Sequence, residues 1–359
     1  MSKRLLPAFL LGLLLLGGCW DEAQYKDITI VPVMGLTNGD KEGEVKAYFS
    51  YPTFEEETIK YAQSEGTGVS TRAAREDASH HTMEALDVSH LEVLMISSDM
   101  AKKNVYPEID MFFRTPRNRI TSYVAVVEGD MKQYFNPPGD FKSEVANYYP
   151  ELLRTGVLYT YITVSTMENA AKLLFDETID LTLPYLIIDE NGLPALDGIA
   201  LFSNNHFTGQ TLRKQEAILA GMMKNKLGKY TRLSYEWKEK DSPITVQVIK
   251  VNRKLKISDE RVKMKFDIDI SVDEFPKNDL YKKQTRREAE KFLSAEIKKD
   301  FEKVLTTTQE AKSDVFGVGR KVHAFHQDLW KKGDWRETYS TLSIEIDVKV
   351  NLKRTSILD

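Results

Sequence analysis

Two stretches in the last third of the chain alternate apolar and polar residues with a strict period of two. Val262, Met264, Phe266, Ile268 and Ile270 alternate with Lys263, Lys265, Asp267 and Asp269. Ile344, Ile346, Val348, Val350 and Leu352 alternate with Glu345, Asp347, Lys349 and Asn351. Successive side chains of a strand point to opposite faces, so each run predicts a strand with one buried and one wet face, the pattern of an antiparallel sheet. A third strand is predicted over 244–251. Between these strands the period changes. Ala289, Leu293, Ile297, Phe301, Val304 and Leu305 share one face at helical spacing, which predicts a long helix over about 285–307. A second helix is predicted over about 313–330. Strand, strand, helix, helix, strand gives an α+β layer in which an antiparallel sheet packs with two long helices.

The first two thirds mix shorter patterns. Residues 28–33 and 45–51 are β-rich and flank Asn38-Gly39, predicting a hairpin with a long loop. The polar run 63–70, with Gly66 and Gly68, reads as a loop leading into a helix capped by Ser70 or Thr71, with Ala74, Ala78, Met83 and Leu86 on its buried face. Strands are predicted over 91–96, 120–127 and 199–202. Helices are predicted over 100–113, 142–154, 164–176 and 212–223, with 225–229 as a basic exit from the last. The predicted organisation is three mixed α/β units: 19–183, a small middle unit 184–245, and 246–359.

The N-terminus has a different character. Lys3 and Arg4 precede an apolar run from Leu5 to Leu16, followed by Gly17, Gly18 and Cys19. These are the parts of a signal peptide over residues 1–18. About 12 residues of helix span roughly 18 Å, too short for a hydrocarbon core of about 30 Å. Two small residues directly before a cysteine resemble the bacterial lipoprotein signal. The expectation is cleavage between Gly18 and Cys19 and a diacylglyceryl group on Cys19, which gives two acyl chains, enough for durable anchoring. Cys19 is the only cysteine among the 359 residues, so no intrachain disulfide is possible. Apolar residues make 42% of the chain, charged residues 29%, and the net charge is −4. Those values are ordinary for a globular chain, and without a basic stripe they give no sign of nucleic-acid binding.

Candidate catalytic chemistry is sparse. His80, His81 and His90 lack a metal-binding spacing, and His323 with His326 supplies two imidazoles on one helix face, short of a zinc site. Asp328 falls off that face. The run Gly66 to Thr71 has no lysine after its second glycine, so it is not a phosphate loop, and Gly317-Val318-Gly319 lacks the third glycine of a dinucleotide fingerprint. No nucleophile elbow is present. The run Glu55-Glu56-Glu57 reads as a solvated face. No catalytic, metal or cofactor site is predicted, and the chain is not expected to be an enzyme.

Gly18-Cys19-Trp20-Asp21 resembles the start of the Ger(x)C family, the lipoprotein C subunits of bacterial spore germinant receptors. The block from Lys312-Ser313-Asp314-Val315-Phe316-Gly317-Val318-Gly319-Arg320 through His323, Trp330-Lys331 and Trp335 is similar to that family's C-terminal signature. Asp197-Gly198-Ile199-Ala200-Leu201-Phe202 and Val348 to Thr355 resemble its middle strand and basic terminus. The chain departs from the family after Asp21, where Glu22-Ala23-Gln24-Tyr25 stands, and at Phe325-His326-Gln327-Asp328, where the usual proline is absent. The resemblance implies a three-domain lipoprotein on the outer face of the spore inner membrane, beside the polytopic A and B subunits of a nutrient receptor. It assigns no catalytic residue, and it implies that nutrient binding rests with the B subunit rather than here. The alternative readings are a solute-binding lipoprotein of a transporter, which predicts two similar lobes with a cleft between them, and an extracellular cell-wall hydrolase, for which no carboxylate pair or metal motif is marked.

Overall fold

The computed structural model describes residues 28–55, 58–139, 145–258, 261–277 and 279–354. The signal segment, the predicted cleavage site at Gly18 and the predicted lipid-bearing Cys19 lie outside the described residues.

The protein is α+β, built on two large sheets. The first has eight strands: β2 (Val33–Asn38), β3 (Val45–Glu55), β4 (Thr58–Gly68), β6 (Val93–Ser97), β7 (Tyr123–Val127), β8 (Thr182–Ile188), β9 (Pro194–Ser203) and β10 (His206–Arg213). Their order is β10-β9-β8-β7-β6-β2-β3-β4. The four central strands, β8, β7, β6 and β2, run parallel, and antiparallel pairs flank them at both edges. Parallel strands must be buried on both faces. Accordingly β6 is buried at all five positions. Leu94 and Ile96 pack with α1 (Thr71–Ser79), α2 (Ser98–Ala101), α3 (Tyr106–Arg114) and α6 (Met167–Leu174). Val93 and Met95 point the other way, towards α4 (Met131–Phe135) and α5 (Val145–Leu158), in the core that continues into the C-terminal unit. A small parallel pair, β1 (Ile28–Ile30) with β5 (Ala85–Asp87), lies beside this sheet.

The second sheet has the order β11 (Arg232–Trp237), β12 (Ser242–Ser258), β13 (Arg261–Glu274) and β14 (Ser343–Arg354). The alternating residues of β13 and β14 fall as expected: Val262, Met264, Phe266, Ile268 and Ile270 are buried. The antiparallel expectation needs one correction. β14 runs parallel to β13, with Val262 opposite Ile344 and Phe266 opposite Val348. Alternation fixes which face is wet and says nothing of direction. A chain that crosses the sheet through a 28-residue helix, α8 (Lys283–Glu310), and three shorter ones returns at the end from which β13 started. The six apolar residues predicted for α8 are all buried on this sheet, with Phe301 edge-on to Phe266 at 4.8 Å. Each of the five larger side chains, all but Ala289, contributes about 1.5–3 kcal/mol by leaving water. The second predicted helix, 313–330, is broken into α9 (Val318–Phe325) and α10 (Gln327–Trp330), and a further helix, α11 (Trp335–Thr341), follows beyond it.

Other expectations shift for physical reasons. The polar run 63–70 is mostly strand, because β4 is an edge strand and an edge tolerates polar residues. Ser70 does cap α1, its Oγ accepting from Ala73 N at 3.2 Å, but α1 ends at Ser79 and Met83 is fully exposed. Residues 100–113 form two helices, with Pro107 in the first turn of α3, where it costs no hydrogen bond. The segment 184–245, expected as a unit of its own, gives β8, β9 and β10 to the large sheet and β11 to the small one, with α7 (Gln215–Met223) between them.

Candidate functional site

The C-terminal block 312–336 lies where the two sheets meet. Ser313 and Asp314 follow α8, and both are fully buried. Ser313 Oγ donates to Phe202 O at 2.5 Å and Ser203 Oγ donates to Lys312 O at 2.8 Å, tying the end of β9 to this turn. Asp180, just before β8, completes the joint. Asp180 N donates to Asp314 O at 3.0 Å, and Asp314 N donates to Asp180 Oδ2 at 2.9 Å. Arg336 on α11 pairs with Asp180 Oδ1 at 2.9 Å, with side chains only 16% and 3% exposed.

The Asp314 carboxylate accepts three donors of its own block: Val318 N at 3.1 Å, Gly319 N at 2.6 Å and Trp335 Nε1 at 3.1 Å. It therefore caps the first turn of α9 and fixes the indole of α11. Burial pushes its pKa up to about 6, against the pull of the Gly319 and Val318 amides, and the nearby Asp180 charge adds to the rise. Asp180 is also raised by burial, with Arg336 opposing. Gly317 sits at φ 68°, a left-handed conformation that suits glycine. At Gly319 a Cβ would lie 2.5 Å from Trp335 Nε1 and 2.6 Å from Thr178 O. The aromatic residues of the block form a column: His323 is edge-on to Trp330 at 4.9 Å, Trp330 stacks on Trp335 at 5.5 Å, and Tyr339 follows at 6.3 Å.

The block therefore joins the two halves, and both carboxylates are spent on N–H donors and a guanidinium. Among the described residues there is no group of three or more His, Cys, Asp and Glu that could hold a metal. His80, His81 and His90 are exposed, and His323 serves the aromatic column.

Beside the joint lies a half-open cavity of about 510 Å³. Its walls come from both halves: the end of α5, the loop 162–165, α6 and the loop 224–228 on one side, and Arg253 of β12 with 315–320 on the other. The wall is held by Thr160, whose Oγ1 accepts from Gly228 N at 2.7 Å and lies 2.6 Å from Thr231 Oγ1. Lys224, at the C-terminal end of α7, reaches Thr182 Oγ1 at 2.8 Å. Part of the residue still touches solvent, yet enough protein surrounds its ammonium that burial, with Lys226 adding to it, lowers the pKa to about 8. The sequence pattern marks 225–229 as a basic helix exit and does not single out Lys224, Arg253, Asp180 or Arg336. Of the joint, only Ser313, Asp314 and their neighbours carried a signal, and only through the family block.

Among the described residues no helix is long and apolar enough to cross a membrane. Residues 21–188 match the family model described as spore germination protein N-terminal domain. Residues 197–356 match that described as spore germination B3/GerAC like, C-terminal. The chain is 21% identical to the putative spore germination protein YfkR of Bacillus subtilis (strain 168), over 99% of this chain and 97% of that protein. It is 23% identical to spore germination protein A3 of the same organism, over 98% and 97%. The crystal structure of the GerBC protein is similar in fold, with a TM-score of 0.55 at 15% identity, covering 89% of this chain and 97% of that one.

Proposed function

The chain belongs to the Ger(x)C family of spore germination proteins, and from that premise we propose that it is the membrane-anchored, non-enzymatic C subunit of a spore germinant receptor. The observation that carries this reading is the match of the two family models across nearly the whole chain, 21–188 and 197–356. In this role the chain works with two integral-membrane subunits, A and B. A diacylglyceryl group on Cys19, added as the chain is cleaved after Gly18, holds it on the outer face of the spore inner membrane. Anchoring confines the folded part to the membrane plane, where weak contacts with membrane partners suffice through their high effective concentration. The joint supports a non-enzymatic reading, since its two buried carboxylates are engaged by donors of the same chain. The transporter alternative finds no support in the architecture: an eight-stranded mixed sheet and a four-stranded sheet are not two similar lobes.

The test is Cys19→Ala in the intact gene. Spores carrying it should lose the protein from the inner-membrane fraction and lose the nutrient response of this receptor. Normal membrane retention, co-purification with A and B subunits and a normal nutrient response in the variant would overturn the anchoring role.

A further inference from the structure

Charge accounting around the cavity leaves an excess that the protein itself does not neutralise. Five cationic side chains and one carboxylate line it. Lys172 is spent on Glu168 at 2.6 Å, Arg320 on Asp176 at 2.7 Å, and the carboxylate, Asp180, on Arg336 at 2.9 Å. Lys224, Lys226 and Arg253 remain, with no salt-bridge partner among the described residues, and Arg253 feels only the longer-range attraction of the buried Asp314 carboxylate. Among the described residues Lys224 has one acceptor, the Thr182 hydroxyl, for three ammonium protons. Arg253 donates from Nη1 alone, to the carbonyls of Met223 at 3.0 Å and Phe316 at 2.9 Å, which leaves Nε and Nη2 without an acceptor among the described residues. Carbonyls hold the guanidinium in place without cancelling its charge. Partly buried cations are costly to hold without counter-charge. Here two of them, from different halves of the molecule, line one cavity, with Lys226 exposed on its wall.

The rest of the lining mixes the polar side chains of Thr163, Ser165, Asn169 and Thr182 with an apolar part that includes Leu173, Leu181, Val315 and Phe316, and the volume of about 510 Å³ is that of a small-molecule site. We propose that this cavity binds a small organic anion, a carboxylate attached to an apolar body, with the carboxylate between Lys224 and Arg253 and the body against Leu181 and Phe316. The planar guanidinium fork suits a carboxylate's two oxygens, and the ammonium adds a point charge. A bare inorganic ion would leave the apolar part of the lining uncovered, which favours an anion with an apolar body. The proposal goes beyond the anchored-subunit reading and does not depend on it.

The experiment is calorimetric titration of the full chain, purified in detergent, with benzoate as probe. Benzyl alcohol serves as its uncharged counterpart and inorganic phosphate as the anion without an apolar body. Benzoate should give saturable heat, and the other two little. Lys224→Met should weaken benzoate binding by at least about tenfold, the usual worth of a charge-assisted contact. The same variant should melt at or above the temperature of the parent, because an unneutralised buried charge has gone, so lost binding cannot be laid to unfolding. If it melts early instead, Lys226→Gln, at an exposed position, replaces it and should also weaken binding. Binding should fall between pH 7 and pH 9 as Lys224 loses its proton. The other charged groups lining the cavity are Lys172 on α6, Asp180 before β8, Lys226, Arg253 on β12 and Arg320 on α9. No saturable heat with benzoate overturns the proposal. So does phosphate binding in its place, equal binding of benzyl alcohol, or a folded variant that keeps parental affinity.

Discussion

Truncating Asp314 tests whether the joint between the two sheets is what holds the C-terminal block in place. In Asp314→Ala, Val318 N, Gly319 N and Trp335 Nε1 lose their acceptor at a fully buried site. A buried donor without a partner costs about 1–3 kcal/mol, so the gross loss is about 3–9 kcal/mol. Against this stands the burden of the charge itself. The carboxyl pKa rises from 3.8 to about 6, and at about 1.4 kcal/mol per unit its removal recovers about 3 kcal/mol at neutral pH. The net expectation is a destabilisation centred near 3 kcal/mol within a span of about 0–6 kcal/mol, and the central value is a fall of about 4 °C in melting temperature for a chain of this size. The sign of the pH dependence follows from the raised pKa. The stabilising contribution is full below pH 3.8 and is lost as pH rises through about 6, so truncation should do more harm near pH 4 than at pH 7. Asp180 is raised in the same direction, by its burial. Far-UV circular dichroism gives the melt, and tryptophan fluorescence reports on the indole of Trp335. A variant that melts within about 1 °C of the parent at pH 7, or harm that grows between pH 4 and pH 7, refutes the reasoning.

Arg336→Met leaves Asp180 buried and unpaired, and removing one partner of such a pair costs about 3–5 kcal/mol. Urea denaturation measures it, and Arg336→Lys should recover only part of the loss. Gly319→Ala forces a methyl group to within 2.5 Å of Trp335 Nε1 and 2.6 Å of Thr178 O. It should destabilise by about 1–3 kcal/mol and shift the tryptophan emission, and a melting curve and spectrum unchanged from the parent would contradict the packing described here.

How much of this was legible in the sequence depended on whether the signal was local. The faces of β13 and β14 and the buried stripe of α8 could be read because the periodicity of one segment determines them. The direction of β14 could not, because it depends on where the crossover through α8 to α11 returns the chain. The fate of 184–245 was hidden for the same reason: neither β9, of ten residues, nor β11, of six, carries a local mark of its sheet, and only their partners assign them to different sheets. The joint shows the limit most sharply. Asp180 and Asp314 are 134 residues apart, and nothing around Asp180 separates it from a surface aspartate. Asp314 stood out only through the family block around it.

The same non-locality bears on what the cavity can do. Lys224 ends a helix packed on the first sheet, while Arg253 and Phe316 belong to the second half, and all three line one space beside the Asp180–Asp314 contact. A ligand held by both sides binds only while the joint is closed. Its occupancy would therefore add to the stability of the joint, by about 2.7 kcal/mol at a hundredfold excess over its dissociation constant. That is comparable to the net contribution worked out above for Asp314. Benzoate should therefore offset much of the loss in Asp314→Ala and none of it in the Asp314→Ala, Lys224→Met double variant. Equal rescue in both would mean that the ligand acts somewhere other than this cavity.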